Sequence, residues 1–302
     1  MSSLALPSPL ISTQWLADHL GSDGLVVLDA TVLSVQAPGG GHRWLSGYNQ
    51  YLITGHIPGS VFADVLEVFS DPNGSFDFAR PDAQQIAAAA ASIGIGDDST
   101  VVVYDASVGQ WASRIWWLLR SFGFERVAVL DGGLAKWNSE GRTLDTGHVE
   151  PRPTGPFTAV EQPGFWVDKA FVASVVTGET DAVLVCALPP SDFSGETGSR
   201  PRRGHIPGSV NVPAGRLVDR GSNAYLRGEA LSERLAPAFE AAGTADGDGA
   251  EILIVVYCGG GIAAASGALA LTIAGHRNVA VYDGSLNEWS ADEAAPLAST
   301  AA

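Results

Sequence analysis

The chain has 302 residues, 46% of them apolar, enough for two domains with sizeable cores and too many for a disordered protein. Lys and Arg number 17 against 33 Asp and Glu, a formal charge of −16, which excludes nucleic acid or an anionic membrane as a general partner. The two cysteines, Cys186 and Cys258, imply no disulfide framework and fit a reducing, cytoplasmic compartment. The opening MSSLALPSPLIST has no basic leader, so it does not read as a signal peptide. No apolar run reaches the roughly 18 residues that a bilayer span needs.

In chain order, 12–20 reads as a helix capped by Ser12 or Thr13, and 25–29 as a strand. A long loop follows. Gly55-His56-Ile57-Pro58-Gly59-Ser60-Val61 then marks a fixed turn into a short strand. Helices are expected over 81–93, 110–122 and 133–138, with strands over 100–104 and 127–130 between them. Four prolines between 144 and 164 predict an extended linker. Beyond it, strands are expected at 182–185, 252–257 and 279–282, and helices at 231–242 and 263–274. The Ala-rich tail from Ala291 is expected to fray. Strands alternating with helices predict an α/β fold with parallel sheets covered on both faces.

The second half repeats the first. Gly55-His56-Ile57-Pro58-Gly59-Ser60-Val61 returns 149 residues later, beginning at Gly204. Val102-Val103-Tyr104-Asp105 returns as Val255-Val256-Tyr257-Cys258, and Asp131-Gly132-Gly133-Leu134 opens a block matched by Asp283-Gly284-Ser285-Leu286. Three blocks in the same order mean duplication of a whole domain, far longer than a solenoid repeat. The expected division is a first domain over 1–145, a linker over 146–156 and a second domain over 157–302.

The duplication sets Cys258 against Asp105. Both stand where a buried strand stops and a helix begins, and ligands of open parallel sheets gather at the carboxyl ends of strands. Gly259, Gly260 and Gly261 follow the cysteine, then Ile262 and Ala263. Free N–H groups and the positive dipole end of a helix favour a thiolate there, and glycine lets the backbone approach sulfur closely. A small buried residue in a glycine turn is the plainer alternative. Gly259-x-Gly261-x-x-Ala264 also matches a dinucleotide fingerprint, but without a conventional nucleotide-binding half. A cysteine-dependent phosphatase needs an arginine closing this loop, and here Ala263 and Ala264 close it.

With both Gly-His-Ile-Pro-Gly-Ser blocks, Asp105, Cys258, Arg114-Ile115-Trp116-Trp117 and both Asp-Gly-x-Leu-x-x-Trp blocks, the chain resembles the tandem-domain rhodaneses, the thiosulfate and 3-mercaptopyruvate sulfurtransferases. The resemblance implies two rhodanese-like domains, an inactive first copy with Asp105 at the loop and a catalytic second copy with Cys258. It implies a sulfurtransferase that moves sulfane sulfur from thiosulfate or 3-mercaptopyruvate to cyanide or a thiol through a Cys258 persulfide. No cofactor or metal is expected. The expected partners are a small anionic sulfur donor and a thiol acceptor such as a thioredoxin-like protein.

Several positions depart from the family. Gly260 stands where mercaptopyruvate enzymes have Ser, and Ala263 where the family has Thr. Cys186 and Leu188 replace the Asp and Arg of an Asp-x-Arg segment, and Ser194 replaces a second substrate-binding Arg. Seven of the 17 cations, Arg200, Arg202, Arg203, Arg216, Arg220, Arg227 and Arg234, fall within one 35-residue window and form a local basic patch, or simply a solvated surface. Arg200, Arg202 or Arg203 could stand in for the missing arginines. His56 matches a family position to which proton handling or turn fixing can be assigned. Cys186 is read as a buried structural thiol, with a resolving thiol for Cys258 as the alternative. A sulfur-binding or partner-binding module with little turnover is the competing function.

Overall fold

The structure is a computed structural model that describes residues 4–36, 42–243 and 252–301. The chain divides into two compact units. One comprises Met1–Asn73, Arg80–Gln162 and Asp219–Ala224; the other comprises Gly74–Ala79, Pro163–Val218 and Tyr225–Ala302. Residues 146–156, the expected linker, fall in the first unit, where Asp97 N donates to Pro156 O at 2.8 Å.

The first unit runs β1 (Leu10–Ile11), α1 (Thr13–His19), β2 (Leu25–Asp29), β3 (Val32–Gln36), β4 (His42–Ser46), α2 (Tyr48–Ile53), β5 (Val61–Phe62), α3 (Ala83–Ser92), β6 (Thr100–Tyr104), α4 (Gln110–Ser121), β7 (Val127–Leu130) and α5 (Gly133–Ser139). Its sheet has the order β1-β7-β6-β2-β5, all parallel. Helix starts follow local chemistry. Ser12 accepts from Trp15 N at α1, and Asp82 with Gln85 forms a reciprocal capping box at α3. The central strand β6 is buried at every residue, as a strand covered on both faces must be.

The second unit runs β8 (Trp166–Val167), α6 (Lys169–Val176), β9 (Val183–Cys186), α7 (Pro190–Ser194), β10 (Val210–Asn211), a 3₁₀ turn (Ala214–Arg216), α8 (Gly228–Ala242), β11 (Ile254–Tyr257), α9 (Ile262–Ile273), β12 (Val279–Tyr282) and α10 (Ser285–Ala291). The sheet order β8-β12-β11-β9-β10 matches the first unit strand for strand. Helix α9 is built from small residues because it lies close on β11: a Cβ at Gly267 would stand 3.0 Å from Val256 Cγ1. Among the described residues no helix is long and apolar enough to cross a membrane.

The structure explains why the Gly-His-Ile-Pro-Gly-Ser block recurs. In the first unit the buried Tyr104 hydroxyl accepts from Ile57 N at 3.0 Å and bonds Ser60 Oγ at 2.9 Å. In the second, Tyr257 makes the same contacts with Ile206 N at 3.1 Å and Ser209 Oγ at 2.6 Å. His56 stacks on Tyr51 at 3.9 Å and His205 on Phe193 at 3.7 Å, each with Nδ1 bonded to the carbonyl of its aromatic partner. A later segment then pairs with each histidine, Asp145 with His56 and Ala298 with His205. The turn is thus locked to the tyrosine that precedes Asp105 or Cys258.

Two expectations are corrected. The long loop after β2 carries the antiparallel hairpin β3–β4, paired from Val32↔Ser46 to Gln36↔His42. Residues 37–41, between the two strands in sequence, lie outside the described residues. The tail is docked rather than frayed. Ala298 and His205 exchange both backbone bonds at 2.9 Å, and Thr300 N and Ala301 N donate to Ser194 O. These bonds join residues about 90 to 110 positions apart, so local sequence carries no sign of them.

Candidate active site

The first unit shows what this strand-to-helix turn does to an anion. Asp105, fully buried, follows β6, and its carboxylate accepts five hydrogen bonds. Oδ1 takes Ser107 N at 2.8 Å, Ser107 Oγ at 2.9 Å and Gly109 N at 3.0 Å. Oδ2 takes Trp111 N at 2.9 Å and Ala112 N at 3.0 Å, the second and third residues of α4. These amides are among the four that no helix satisfies internally. The turn is a nest of N–H groups closed around a negative charge.

In the second unit Cys258 follows β11 in the same way and is 2% exposed. Its loop is one residue shorter. Gly261, with φ 78°, caps α9 where Gly109, with φ 80°, caps α4. The helix begins at Ile262, so its second and third amides belong to Ala263 and Ala264, the counterparts of those that hold the Asp105 carboxylate. Cys258 is the only residue from 258 to 264 whose side chain bears a heteroatom.

A serine completes the loop. Ser285 Oγ accepts from Cys258 N and Gly261 N, both at 3.1 Å, and donates to Tyr282 O at 2.8 Å. It therefore satisfies the capping-glycine amide that Asp105 takes in the first unit. Ser285 is fully buried with φ 48°, a left-handed conformation unusual for a residue with a side chain. Its counterpart Gly133 has φ 54°, and a side chain there would run into Asp105 O. Leu286 N and Asn287 N donate to the carbonyls of Cys258 and Gly259 at 3.1 and 2.8 Å. Helix α10 thereby fixes the loop from below.

The glycines make room for two polar side chains. A Cβ at Gly259 would collide with the Arg200 guanidinium, and one at Gly260 would lie 3.0 Å from Asn287 Nδ2 and 3.5 Å from Phe78 Cδ2. Arg200 Nε donates to Asn287 Oδ1 at 3.0 Å. An open cavity of about 560 Å³ reaches Arg200 and Asn287 and is bordered by Asp77, Ser290 and Glu293. Cys258 does not line it.

The other residues singled out from sequence are placed as follows. Arg202 donates to the carbonyls of Asp292 and Ala295 and so holds the chain after α10. Arg203 is exposed, with one 3.4 Å bond to Glu196 O. His56 lies in the first unit, buried in the stack on Tyr51. Leu188 packs against the core cluster of β9 and β11, and Ser194 Oγ donates to Ser191 O. Neither supplies a cation. Cys186 sits in that same cluster, paired in register with Tyr257. Burial pushes its thiol up to about 12, with hydrogen bonds from Leu188 and Tyr257 offsetting only part of that. A thiol so disfavoured as thiolate is a poor resolving group. Among the described residues no cluster of His, Cys, Asp and Glu could hold a metal.

Sequence reasoning passed over Ser285 and Asn287. Both were visible as differences between copies, Gly133 against Ser285 and Ala135 against Asn287.

The rhodanese-like domain model matches the chain twice, over residues 12–140 and 179–292. The 3-mercaptopyruvate sulfurtransferase of Escherichia coli K12 is 35% identical over 290 residues, 95% of this chain and 96% of that protein. The human 3-mercaptopyruvate sulfurtransferase is 32% identical over 299 residues, 96% of this chain and 94% of that one. The crystal structure of SseA from Escherichia coli superposes with a TM-score of 0.76 at 33% identity, covering 91% of this chain and 98% of the other. Two matched domains, the duplicated sheet and near full-length relatives agree: the chain belongs to the rhodanese family, as a tandem of two rhodanese-like domains.

Proposed function

We propose that the chain is a sulfurtransferase in which Cys258 carries the sulfur, with 3-mercaptopyruvate as the sulfur donor that its relatives' names favour and thiosulfate as the other. The observation that supports this best is the Asp105 nest. The same turn holds a full negative charge with five hydrogen bonds in one copy and bears a lone thiol in the other. A persulfide is an anion of the kind such a turn stabilises.

The Cys258 thiolate attacks the sulfur of 3-mercaptopyruvate. The S–S bond forms as the C–S bond breaks, and the carbon takes a proton to leave as pyruvate. With thiosulfate the leaving group is sulfite. A thiolate or cyanide then attacks the outer sulfur, takes it, and returns Cys258 as thiolate. A small thiol or a thioredoxin-like protein is the acceptor that fits, and the two free cysteines fit a reducing, cytoplasmic setting. The first copy is inert in this scheme because Asp105 fills its own nest.

The test is intact mass after incubation with each sulfur donor. The expected result is a gain of one sulfur atom, lost in Cys258→Ser and removed by cyanide as thiocyanate. No persulfide with either compound would refute the assignment and leave a binding module.

A further inference from the structure

Strand β2 leaves part of one edge bare. Backbone groups of successive strand residues point to opposite sides. Around β2 the even-numbered residues face β6: Gly24 O accepts from Thr100 N and Ala30 N donates to Tyr104 O, both at 2.8 Å. The odd-numbered residues face β5, and Asp29 O accepts from Ala63 N at 2.8 Å. Strand β5 pairs only with Leu28 and Asp29, because the chain before it turns back on itself, Ser60 N donating to Ile57 O at 3.0 Å. Leu25 N is spent on Ser22 O at 3.2 Å. Leu25 O and Val27 N–H have no hydrogen bond among the described residues.

A cavity of about 340 Å³, wholly within the first unit, lies on this bare edge. Leu20, Val61, Ile93 and Val149 give it apolar walls around Leu25, Val26 and Val27. Residues 149–152 run against the end of α3, where a Cβ at Gly94 would stand 2.8 Å from Arg152 O. They bring two charges to the rim. Glu150 is engaged, with Oε1 3.3 Å from His148 Nε2. Arg152 has no ion pair or side-chain hydrogen bond among the described residues. An apolar cavity with one bare donor, one bare acceptor and an unpaired cation is the composition of a ligand site.

We propose that this cavity binds the C-terminal residue of a peptide, with an apolar side chain between the walls, its N–H donated to Leu25 O, and its carboxylate shared by Val27 N–H and Arg152. A residue lying opposite Val26 in a parallel strand donates to the residue before and accepts from the residue after. Those are the two groups that β2 leaves unpaired. The bound residue adds one rung to the ladder that β5 begins, recognition by strand addition. A carboxylate there meets both the amide and the guanidinium, and a charge-assisted contact is the stronger kind. The volume is at the low end of the roughly 300–1,000 Å³ usual for small-molecule sites, which suits one side chain rather than a long segment. No group of the Cys258 loop lines this cavity, so the site stands apart from the sulfur-carrier reading.

Titration calorimetry of the full chain with acetyl-Ala-Ala-Leu, its carboxylate free, tests this. The expected Kd is about 0.1–1 mM. The same peptide as a C-terminal amide should bind about tenfold more weakly, having lost the charge that meets Arg152. The peptide N-methylated at its last residue should also weaken about tenfold, having lost the bond to Leu25 O. Arg152→Ala should weaken the acid about tenfold and leave the affinity for the amide as it was. Arg152 is exposed, so this variant should keep its fold, as thermal unfolding would read. With photoleucine as the last residue, crosslinks located by peptide mass should fall in 20–27, 58–61, 93–94 and 149–152. Cys258→Ser should bind as the wild type does. No saturable binding below about 10 mM would overturn the proposal. So would an acid bound no better than its amide, an affinity indifferent to Arg152→Ala, or crosslinks elsewhere.

Discussion

Removing the Ser285 hydroxyl should unpin the Cys258 loop, and the order of two variants tests the reasoning. Ser285 makes three hydrogen bonds, at 3.1, 3.1 and 2.8 Å, and two of them satisfy buried amides of the loop. Deleting it leaves Cys258 N and Gly261 N unpaired, at about 1–3 kcal/mol each. Its φ of 48° acts in the other direction. A left-handed residue with a Cβ costs about 1 kcal/mol that glycine does not pay. Ser285→Ala keeps that strain and loses the bonds, so about 2–6 kcal/mol should go. Ser285→Gly loses the same bonds but takes the conformation of Gly133, and should be about 1 kcal/mol the more stable of the two. Urea unfolding measures the order. Iodoacetamide alkylation of Cys258 at fixed pH should also change in both variants while far-ultraviolet dichroism does not. Stability equal to wild type in both, or Ala above Gly, would mean that the hydroxyl does not organise the loop.

Asp29, buried beside Tyr104, has its carboxyl raised to about 6 by desolvation, with hydrogen bonds from Thr31 and Tyr104 working against the shift. A carboxyl raised in the folded state stabilises most when protonated. Its contribution is complete below about 4 and is lost as the pH rises through about 6. Asp29→Asn should therefore match wild type near pH 4 and exceed it at pH 8 by up to about 3 kcal/mol, as denaturation at the two pH values would read. A difference independent of pH would refute this. The Cys186 thiol, pushed up to about 12 and fully buried, should resist iodoacetamide in native protein at pH 8 and react only in denaturant. Rapid native labelling at Cys186 would reopen its part as a resolving thiol.

Much was legible because it is written twice. The Gly-His-Ile-Pro-Gly-Ser blocks and the tyrosine before Asp105 and Cys258 recur because each is one part of a single lock: hydroxyl to turn, turn to histidine, histidine to a later segment of the chain. The hairpin β3–β4 escaped notice because the second copy has no counterpart among its described residues to compare with. The docked tail escaped because its bonds to His205 and Ser194 are non-local.

The sequence alone determined the duplication, the parallel α/β architecture, and the pairing of Asp105 with Cys258, since these follow from periodicity and from repeats that survive any arrangement of side chains. It could not decide which of Arg200, Arg202 and Arg203 meets the loop. Three cations within four residues carry the same charge and differ only in direction, and direction is set by what each meets on folding. Carbonyls after α10 claim Arg202, solvent takes Arg203, and a glycine without a Cβ, beside an asparagine whose counterpart in the first copy is Ala135, receives Arg200.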